Sequence, residues 1–412
     1  MYKGNVNDIS AYFKSQYEWV SNFLSGLLEI PSVSGNERVA ADYICRALDG
    51  AGVACEKIPI SNNIRNHVEY SPTGYEADYN GQFNILLRSE GQRGKVIALN
   101  THIDVVPPSY GQDDAFNPQL KDGVFYARGA CDAKGQVAVT ALLMKAARDL
   151  PQLRNELVCH LVVEEEFGGN GTLAMLEHFP NFHADLVVNL EPTELRLGST
   201  MRGAIWYNMR FYGVSGHSGS TGPTQSALFK AIAAIDVLKQ YHAELYERSK
   251  DYGMFKGMDR PMLLTVGKLN AGVWPSMVPN EAHLCGALGF LPNVTKHDVM
   301  NDIREVMNKP ENKWISEGME LSFDLRHNGM ELSVNHPGVL AMSDALEKNK
   351  LNGTPVAMAY TSDAVFYHEH GVPTVVFGPG QIADAHSSNE KISVDEILKA
   401  AETLYSFARD WS

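Results

Sequence analysis

The chain has 412 residues, of which 44% are hydrophobic and 20% are charged, an ordinary composition for a globular protein of two or three domains. It carries 35 Lys and Arg residues against 49 Asp and Glu residues, so its formal net charge is −14. This excess of acid argues against nucleic acid and anionic membrane surfaces as partners, because both require a basic face, and it is compatible with the binding of cations.

Helical and strand patterns alternate through the first 200 residues. Apolar spacing of helical type predicts helices at 8–28, from Asn36 to Leu48, at 134–149 and at 171–178. Short apolar runs predict strands at 53–60, 83–89, 95–101, 156–163 and 185–190. A polar stretch rich in Asn and Tyr, 61–82, is interpreted as a long loop or insertion. Strands that alternate with helices in this way indicate a mostly parallel sheet with helices on both faces.

The pattern changes near residue 200 and returns after residue 336. Between these points the predicted order is strand, helix, strand, strand, helix, strand, at 203–213, 224–243, 262–270, 281–290, 295–308 and 319–325. This is the order of a small ferredoxin-like unit. The alternation then resumes with helices at 337–349, 362–370 and 393–410 and strands at 355–360 and 373–377. We predict an α/β catalytic domain in two parts, 1–200 and 329–412, interrupted by an inserted ferredoxin-like α+β domain at 201–328.

Five polar motifs stand out because each lies at or just past the end of a predicted strand, or opens a helix. Ligands bind at that edge in open α/β sheets. The motifs are His102 with Asp104, Asp132 within 129–135, the three Glu residues 164–166, Glu191, and His386 within 385–390.

Each motif has an ordinary explanation when it stands alone. A His at a strand end is often a hydrogen-bonded structural residue, Asp132 could cap the helix that follows it, and three consecutive Glu residues could form a solvated loop. Together, two His residues and several carboxylates at one edge form a mixed nitrogen and oxygen ligand set that suits zinc or a similar divalent ion. A shared, bridging Asp would allow these side chains to hold two ions.

These motifs, in this order, resemble those of the dinuclear metallopeptidases and deacylases that include acetylornithine deacetylase, succinyl-diaminopimelate desuccinylase, aminoacylase and glutamate carboxypeptidase. The resemblance runs from the first predicted helix to Glu396 and implies a zinc-exopeptidase-like fold. It implies two divalent ions, zinc or alternatively cobalt or manganese. The implied ligand sets are His102, Asp132 and Glu191 for one ion, and Asp132, Glu166 and His386 for the other.

The resemblance also implies roles for residues next to these ligands. Glu165 would be the general base, and Asp104 would orient the ring of His102. A cis peptide bond would join Asp132 to Ala133. Because like charges disfavour ionisation, we expect Glu164 and Glu166 to raise the pKa of Glu165 toward neutrality.

The inserted domain carries a further motif of the family, 213–219, in which His217 would reach the active site of a partner subunit. This implies a homodimer in which the inserted domain is both dimerisation module and lid; the alternative is a turn His in a hairpin. The chain departs from the family at Ser276, where an Asn is common, and at Gly289, where an Arg commonly grips the substrate carboxylate. Arg202 is a candidate replacement for that Arg, so we predict Ser276 and Arg202 as substrate-binding residues.

The sequence therefore predicts a two-metal hydrolase that deacylates an N-acyl amino acid or a related small amine. A dipeptidase or carboxypeptidase on the same scaffold is the alternative among enzymes, and a metal-free binding protein is the alternative of another class. The absence of an apolar run of 18 residues, a polar stretch at 1–10 and five dispersed cysteines favour a cytoplasmic protein. Ser362 and Asp363 are interpreted as the start and cap of a helix, and His368 and His370 as surface residues.

Overall fold

The computed structural model of the chain describes residues 8–73, 75–89, 94–150, 153–219 and 222–412. The polar N-terminal stretch 1–10 of the sequence argument thus lies mostly outside the described residues. The chain divides into two compact units. The first contains the residues up to Ser199, Leu332–Val356 and Ser362–Ser412, and the second contains Thr200–Glu331 and Ala357–Thr361. The short segment Ala357–Thr361 belongs to the second unit, although it falls within the range 329–412 that was predicted as part of the catalytic domain.

The described residues form eleven α-helices and sixteen β-strands. The helices are α1 (Ile9–Ser15), α2 (Tyr17–Leu28), α3 (Arg38–Gly50), α4 (Gly135–Asp149), α5 (Asn170–His178), α6 (Ala227–Ser249), α7 (Lys296–Met307), α8 (Lys313–Ser316), α9 (Pro337–Lys348), α10 (Ala364–Glu369) and α11 (Val394–Asp410). The strands are β1 (Glu56–Pro59), β2 (Phe83–Arg88), β3 (Val96–His102), β4 (Gln119–Lys121), β5 (Val124–Tyr126), β6 (Glu156–Val162), β7 (Leu186–Asn189), β8 (Gly198–Met201), β9 (Gly203–Tyr212), β10 (Leu264–Ala271), β11 (Glu281–Phe290), β12 (Glu320–His327), β13 (Met330–Glu331), β14 (Val356–Met358), β15 (Thr374–Val376) and β16 (Lys391–Ser393).

The first unit is built on a sheet with the strand order β1-β2-β6-β3-β7-β15-β8. Its four central strands, β6, β3, β7 and β15, are parallel, and the strands beside them are antiparallel. The central strands are apolar runs because both of their faces are buried. The predicted mostly parallel sheet is therefore confirmed, and the carboxyl ends of its central strands lie at one edge.

Helices cover both faces of this sheet, as predicted. Alternate residues of β6 face opposite sides: Leu157 and Leu161 join a large core with α2, α4 and α11, whereas Val158 joins a smaller cluster with Met175 of α5. This alternation follows from the two-residue period of a strand. The helix α4 contacts β3 and β6 on one face of the sheet, and α5 contacts β6 on the other face.

The second unit is a four-stranded antiparallel sheet with the order β10-β11-β9-β12. The inward-facing residues of β9, such as Met209 and Phe211, share one core with the apolar stripe of α6, which includes Ala231 and Leu238. Apart from the short additional helix α8 between α7 and β12, the observed succession β9-α6-β10-β11-α7-β12 is the ferredoxin-like order expected from the sequence.

Several local features differ from the predicted elements. The first predicted helix is interrupted at Gln16, so that α1 and α2 are separate. The structure also contains a three-stranded sheet, β16-β5-β4, that was not predicted and whose strands have only three residues each. Such short strands carry too little periodicity to be recognised locally. Among the described helices, none is long and apolar enough to cross a bilayer.

Candidate metal centre

The parallel strands bring three of the predicted metal ligands to one edge of the sheet. His102 is the last residue of β3, Glu191 follows the end of β7 by two residues, and Glu166 follows the end of β6 by four residues. Because neighbouring parallel strands end at the same edge, residues far apart in the chain converge there. The topology thus accounts for the convergence of these three side chains.

His102, Asp132 and Glu191 form a first group of candidate ligands. Their ligand atoms all lie within 4.8 Å of one another, and all three residues are buried. The Nε2 atom of His102 lies 2.9 Å from Oδ1 of Asp132. Oε1 of Glu191 is buried and has no hydrogen-bond partner among the described residues, which is unusual for a buried carboxylate oxygen.

Asp132, Glu166 and His386 form a second group, again with ligand atoms within 4.8 Å of one another. Nε2 of His386 lies 3.3 Å from Oδ2 of Asp132 and 3.1 Å from Oε2 of Glu166. Asp132 therefore belongs to both groups, with one oxygen toward each His. The side chain of His386 is 53% exposed, so the cluster is open to solvent on this side.

The chemistry of these side chains fits a pair of divalent ions. Each group offers one imidazole nitrogen and carboxylate oxygens, the donor types that zinc and similar ions prefer. Burial raises the pKa of Glu191 and of Glu166, and the nearby Asp132 carboxylate raises both further. Cations would remove this repulsion between the three carboxylates, and a cation would also supply the missing partner for Oε1 of Glu191.

Asp132 is held in place by main-chain hydrogen bonds to one buried carboxylate. Oε1 of Glu390 accepts from the N–H groups of Cys131 and Asp132, at 2.9 and 3.0 Å. Oε2 of Glu390 accepts from the N–H of Gly129 at 2.9 Å and from Nη1 of Arg128 at 2.7 Å. The peptide bond from Asp132 to Ala133 is cis, as the resemblance implies. Glu390 lies within the sequence motif 385–390, but no local pattern in the sequence predicts this role for it.

Asp104 connects the imidazole of His102 to the turn that carries Glu165 and Glu166. Nδ1 of His102 lies 3.0 Å from the main-chain oxygen of Asp104 and 3.4 Å from its Oδ1. The same carboxylate accepts from the N–H groups of Glu165 and Glu166, at 3.0 and 3.1 Å, and from Oγ of Ser34 at 2.7 Å. Asp104 is therefore placed to orient His102, mainly through its carbonyl, and it also fixes the position of two Glu residues.

Glu165 has a pKa well above its ordinary value. Burial is the main cause, and the carboxylates of Asp363, Glu191 and Glu166 add to it. The largest causes thus include Glu166, as expected, but not Glu164, whose carboxylate accepts hydrogen bonds from the hydroxyl groups of Tyr75 and Tyr79.

Asp363 is a buried residue near the cluster, at the start of the helix that it was predicted to cap. It occupies the N-cap position of α10, yet its side chain makes no capping hydrogen bond there. Its Oδ2 accepts from Oγ1 of Thr172 at 2.6 Å, and burial raises its pKa to about 7. Asp363 lies only a few residues past a predicted strand, the same signal that identified the five motifs. His370 is exposed, in keeping with its interpretation as a surface residue.

The structure places His217, Ser276 and Arg202 in the second unit, and neither ligand group contains them. His217 is exposed, and its Nδ1 accepts from the N–H of Gly219 at 3.0 Å. The main-chain oxygen of Ser276 accepts from the N–H of Ser218 at 2.9 Å, so His217 and Ser276 lie on adjoining segments. These positions leave the role of His217 a prediction.

Arg202 occupies the space that the missing side chain at position 289 leaves free. A Cβ atom built on Gly289 would lie 1.6 Å from Nη1 of Arg202. Nε of Arg202 donates to the main-chain oxygen of Ala359 at 2.5 Å, and no described carboxylate forms an ion pair with this guanidinium. Burial lowers the pKa of Arg202 to about 10, so the group remains cationic at neutral pH. A partly buried cation without an acidic partner is suited to bind an anion.

Comparisons with known proteins give consistent results. The profile of peptidase family M20/M25/M40 matches residues 98–410. The N-formyl-4-amino-5-aminomethyl-2-methylpyrimidine deformylase of Bacillus subtilis is 24% identical over an alignment 344 positions long, which covers 76% of this chain and 79% of that protein. A probable carboxypeptidase of Aspergillus terreus is 27% identical over an alignment 405 positions long, which covers 92% of this chain and 84% of that protein. The structure of the di-peptidase Dug1p from Saccharomyces cerevisiae superposes with a TM-score of 0.79 at 13% identity and covers 98% of both chains, which shows a common fold.

Proposed function

Because the chain belongs to peptidase family M20/M25/M40, it is a metal-dependent hydrolase of amide or peptide bonds, and we propose that it removes the acyl group from an N-acylated amino acid or a related small amine. The family resemblance expected from the sequence motifs is confirmed by this match. The observation that carries the proposal is the sharing of Asp132 between two candidate ligand groups that lie close to Glu165.

We assign His102, Asp132 and Glu191 to one divalent ion and Asp132, Glu166 and His386 to a second, with zinc as first choice and cobalt or manganese as alternatives. When bound, such ions polarise the amide carbonyl and lower the pKa of water. Glu165 is the general base: its raised pKa suits a carboxylate that accepts a proton from water and returns it to the nitrogen of the leaving amine. Asp104 keeps Glu165 in place through the hydrogen bond to its main-chain N–H.

The substrate class is proposed from two observations. The Bacillus subtilis relative is named for the removal of a formyl group from an N-formyl amine. Arg202, whose guanidinium has no acidic partner among the described residues, is suited to bind a carboxylate such as that of an N-acyl amino acid. Ser276 is proposed as a second substrate-binding residue on the basis of the family resemblance.

A homodimer in which His217 acts on the partner's active site is a further part of the proposal. The exposure of His217 is compatible with such a role, in which the imidazole would donate a hydrogen bond to the developing oxyanion. Mixing the inactive variants His217→Ala and Glu165→Gln should restore part of the activity, because a hybrid dimer would contain one site with both groups intact. No recovery despite demonstrated subunit exchange would exclude action in trans.

A dipeptidase or carboxypeptidase activity is the second candidate. The Aspergillus terreus relative is named a probable carboxypeptidase, and an unpaired Arg202 is equally suited to the terminal carboxylate of a peptide. Parallel assays of the metal-loaded protein on N-formyl amino acids, N-acetyl amino acids and dipeptides separate the two candidates. Turnover of dipeptides at least tenfold faster than of every N-acyl amino acid tested would replace our proposal by the second candidate.

Metal analysis of the purified protein tests the dinuclear centre itself. We expect two divalent ions per chain. Less than one ion per chain, not increased by added zinc or cobalt, would favour a metal-free binding protein on this scaffold. A cytoplasmic location remains a prediction from the sequence.

A further inference from the structure

Glu164 begins the turn that carries two residues of the proposed centre, the base Glu165 and the ligand Glu166. It follows the end of β6 by two residues, and its φ of 54° lies in the left-handed region, which residues other than glycine rarely adopt. Such a backbone conformation persists only where the surrounding contacts hold it. The contacts of Glu164 therefore bear on where the two residues after it lie.

The carboxylate of Glu164 is buried, and both of its oxygens accept hydrogen bonds. The residue is only 2% exposed. Its Oε1 accepts from the hydroxyl group of Tyr75 and its Oε2 from the hydroxyl group of Tyr79, each at 2.5 Å. Oε2 also accepts from Nδ2 of Asn170 at 3.1 Å. Distances of 2.5 Å are typical of hydroxyl groups that donate to a carboxylate, and such bonds are stronger than those between neutral groups.

The segment that supplies the two tyrosines also contacts the rest of the turn. We call residues 70–73 and 75–79 the tyrosine segment. Its Ser71 donates from the main-chain N–H to Oδ1 of Asn170 and accepts at its main-chain oxygen from Nδ2 of Asn170, both at 2.9 Å. The ring of Tyr75 lies edge-on to the ring of Phe167, with centroids 5.6 Å apart. The tyrosine segment thus contacts residues before and after Glu165 and Glu166.

Asp104 holds the same turn from a different segment of the chain. Its carboxylate accepts from the N–H groups of Glu165 and Glu166, at 3.0 and 3.1 Å. Glu166 belongs only to the second candidate ligand group, with Asp132 and His386, and Glu165 belongs to neither group. A looser turn should therefore affect the second ion and the base, and it should leave the ion of the first group bound.

We propose that Glu164 is a positioning residue of the hydrolytic centre: with Tyr75 and Tyr79 it holds the turn so that Glu166 can bind the second ion and Glu165 can act as the base. The proposal rests on the ligand sets and the base assigned under the proposed function. The competing explanation is that these hydrogen bonds only attach the tyrosine segment to the first unit. Their loss would then weaken both ions equally or weaken neither.

Tyr75→Phe and Tyr79→Phe, made singly and together, remove the hydroxyl donors and keep the rings. Competition of the full-length protein with a chelator for zinc gives an affinity for each ion. We expect each single change to weaken one ion about threefold to tenfold, and the double change to weaken the same ion roughly ten- to a hundredfold, because a ligand loses its supporting hydrogen bonds. The other ion should change less than twofold. Tyr43→Phe is the matched control: its hydroxyl donates to the main-chain oxygen of Phe23 at 3.0 Å in the same unit, and its loss should change neither affinity more than twofold.

The variant His386→Ala identifies the ion that is affected. It removes a ligand of the second group only, so the ion that still binds belongs to the first group. In this variant, the added double change Tyr75→Phe/Tyr79→Phe should alter the affinity for the remaining ion less than twofold. A loss of tenfold or more would overturn the proposal, because the hydrogen bonds would then support both ions alike.

Hydrogen exchange of the metal-free protein, followed by mass spectrometry, tests the turn without any ion. Peptides that contain the N–H groups of Glu165 and Glu166 should exchange about tenfold faster in the double variant than in the parent, because the turn opens more often, and at the parent rate in Tyr43→Phe. If the double variant does not fold, Tyr75→Phe alone replaces it, since Tyr75 is 38% exposed.

The proposal is overturned if this exchange is unchanged, if both ions are weakened equally, or if neither ion is weakened. A parent protein that binds fewer than two ions would instead refute the proposed ligand sets. The exchange rates would then still decide whether Glu164 and the two tyrosines hold the turn.

Discussion

Replacing Glu390 by Gln tests whether the hydrogen bonds that Glu390 accepts around Asp132 stabilise both the fold and the metal centre. The carboxylate accepts four N–H groups, two at each oxygen. The side chains of Glu390 and Arg128 are both 1% exposed, so water cannot replace a lost partner. A glutamine has nearly the same shape but only one acceptor oxygen. Whichever way its amide is turned, the NH₂ group faces two N–H donors.

The expected loss of stability follows from these contacts. Each buried donor left without an acceptor costs about 1–3 kcal/mol, and removal of one member of a buried ion pair costs about 3–5 kcal/mol. These terms overlap, because Arg128 is counted in both, so we expect the free energy of unfolding to fall by about 3–5 kcal/mol. Displacement of the loop that carries Asp132 should also weaken metal binding roughly ten- to a hundredfold, as is typical when a ligand loses its supporting hydrogen bonds.

The matched control is Glu156→Gln in the same unit. Glu156 pairs with Arg88 at 3.4 Å, and the two side chains are 30% and 49% exposed, so this change should cost less than about 1 kcal/mol. Urea unfolding followed by circular dichroism gives the stability of the metal-free proteins, and competition with a chelator gives their zinc affinities. If Glu390→Gln has the same stability as Glu156→Gln and an unchanged zinc affinity, the hydrogen bonds to Glu390 do not stabilise the fold or the metal centre as we expect.

Three further predictions address the base, the second unit and the pH dependence of stability. Glu165→Gln should retain the metal content of the parent protein and lose at least about a hundredfold in turnover, and retained turnover would remove Glu165 from the mechanism. Gly289→Ala should displace the Arg202 guanidinium and raise KM about tenfold for substrates with a free carboxylate. Gly267→Ala is the control and should leave KM unchanged, because a Cβ atom there has its nearest neighbour at 3.8 Å. Equal effects of the two changes would contradict the assignment of Arg202. The pKa of Asp149 is below its ordinary value because the hydrogen bonds from Lys145, Arg148 and Tyr12 outweigh burial, so its stabilisation is complete above about pH 4 and is lost as the pH falls through the lowered pKa. Asp149→Asn should therefore unfold about 1–2 kcal/mol more easily at pH 7, and the difference should shrink as the pH falls through the lowered pKa of Asp149. A difference independent of pH would show that the ionised carboxylate is not responsible.

The sequence predicted best those helices and strands whose apolar pattern is long, and those residues that the common edge of parallel strands brings together. The apolar runs of β3, β6 and β7 and the helical spacing of α4 and α11 gave elements close to those observed, because each pattern is set by burial within a single segment. Since parallel strands end at one edge, the same reading also placed His102, Glu166 and Glu191 together. The polar residues at the strand ends then resembled those of a known family.

Contacts between distant segments could not be derived in this way. Glu390 lies more than 250 residues from the N–H groups that it accepts, and Asp363 accepts from Thr172, 191 residues away. No periodicity links such pairs, because which side chain reaches a given donor depends on how the loops fold over the sheet. The hydrogen bonds from Tyr75 and Tyr79 to the carboxylate of Glu164 likewise join distant segments and could not be predicted from the sequence.

The order of strands and helices, the inserted unit and the residue types of the metal centre were thus determined by the amino-acid sequence, because burial and strand polarity act within or between neighbouring elements. The tertiary structure alone decided how Asp132 is held, which acids surround Glu165, and which hydroxyl groups donate to the carboxylate of Glu164. These features depend on ångström-scale packing between remote segments, and hydrogen bonds and desolvation change steeply over such distances.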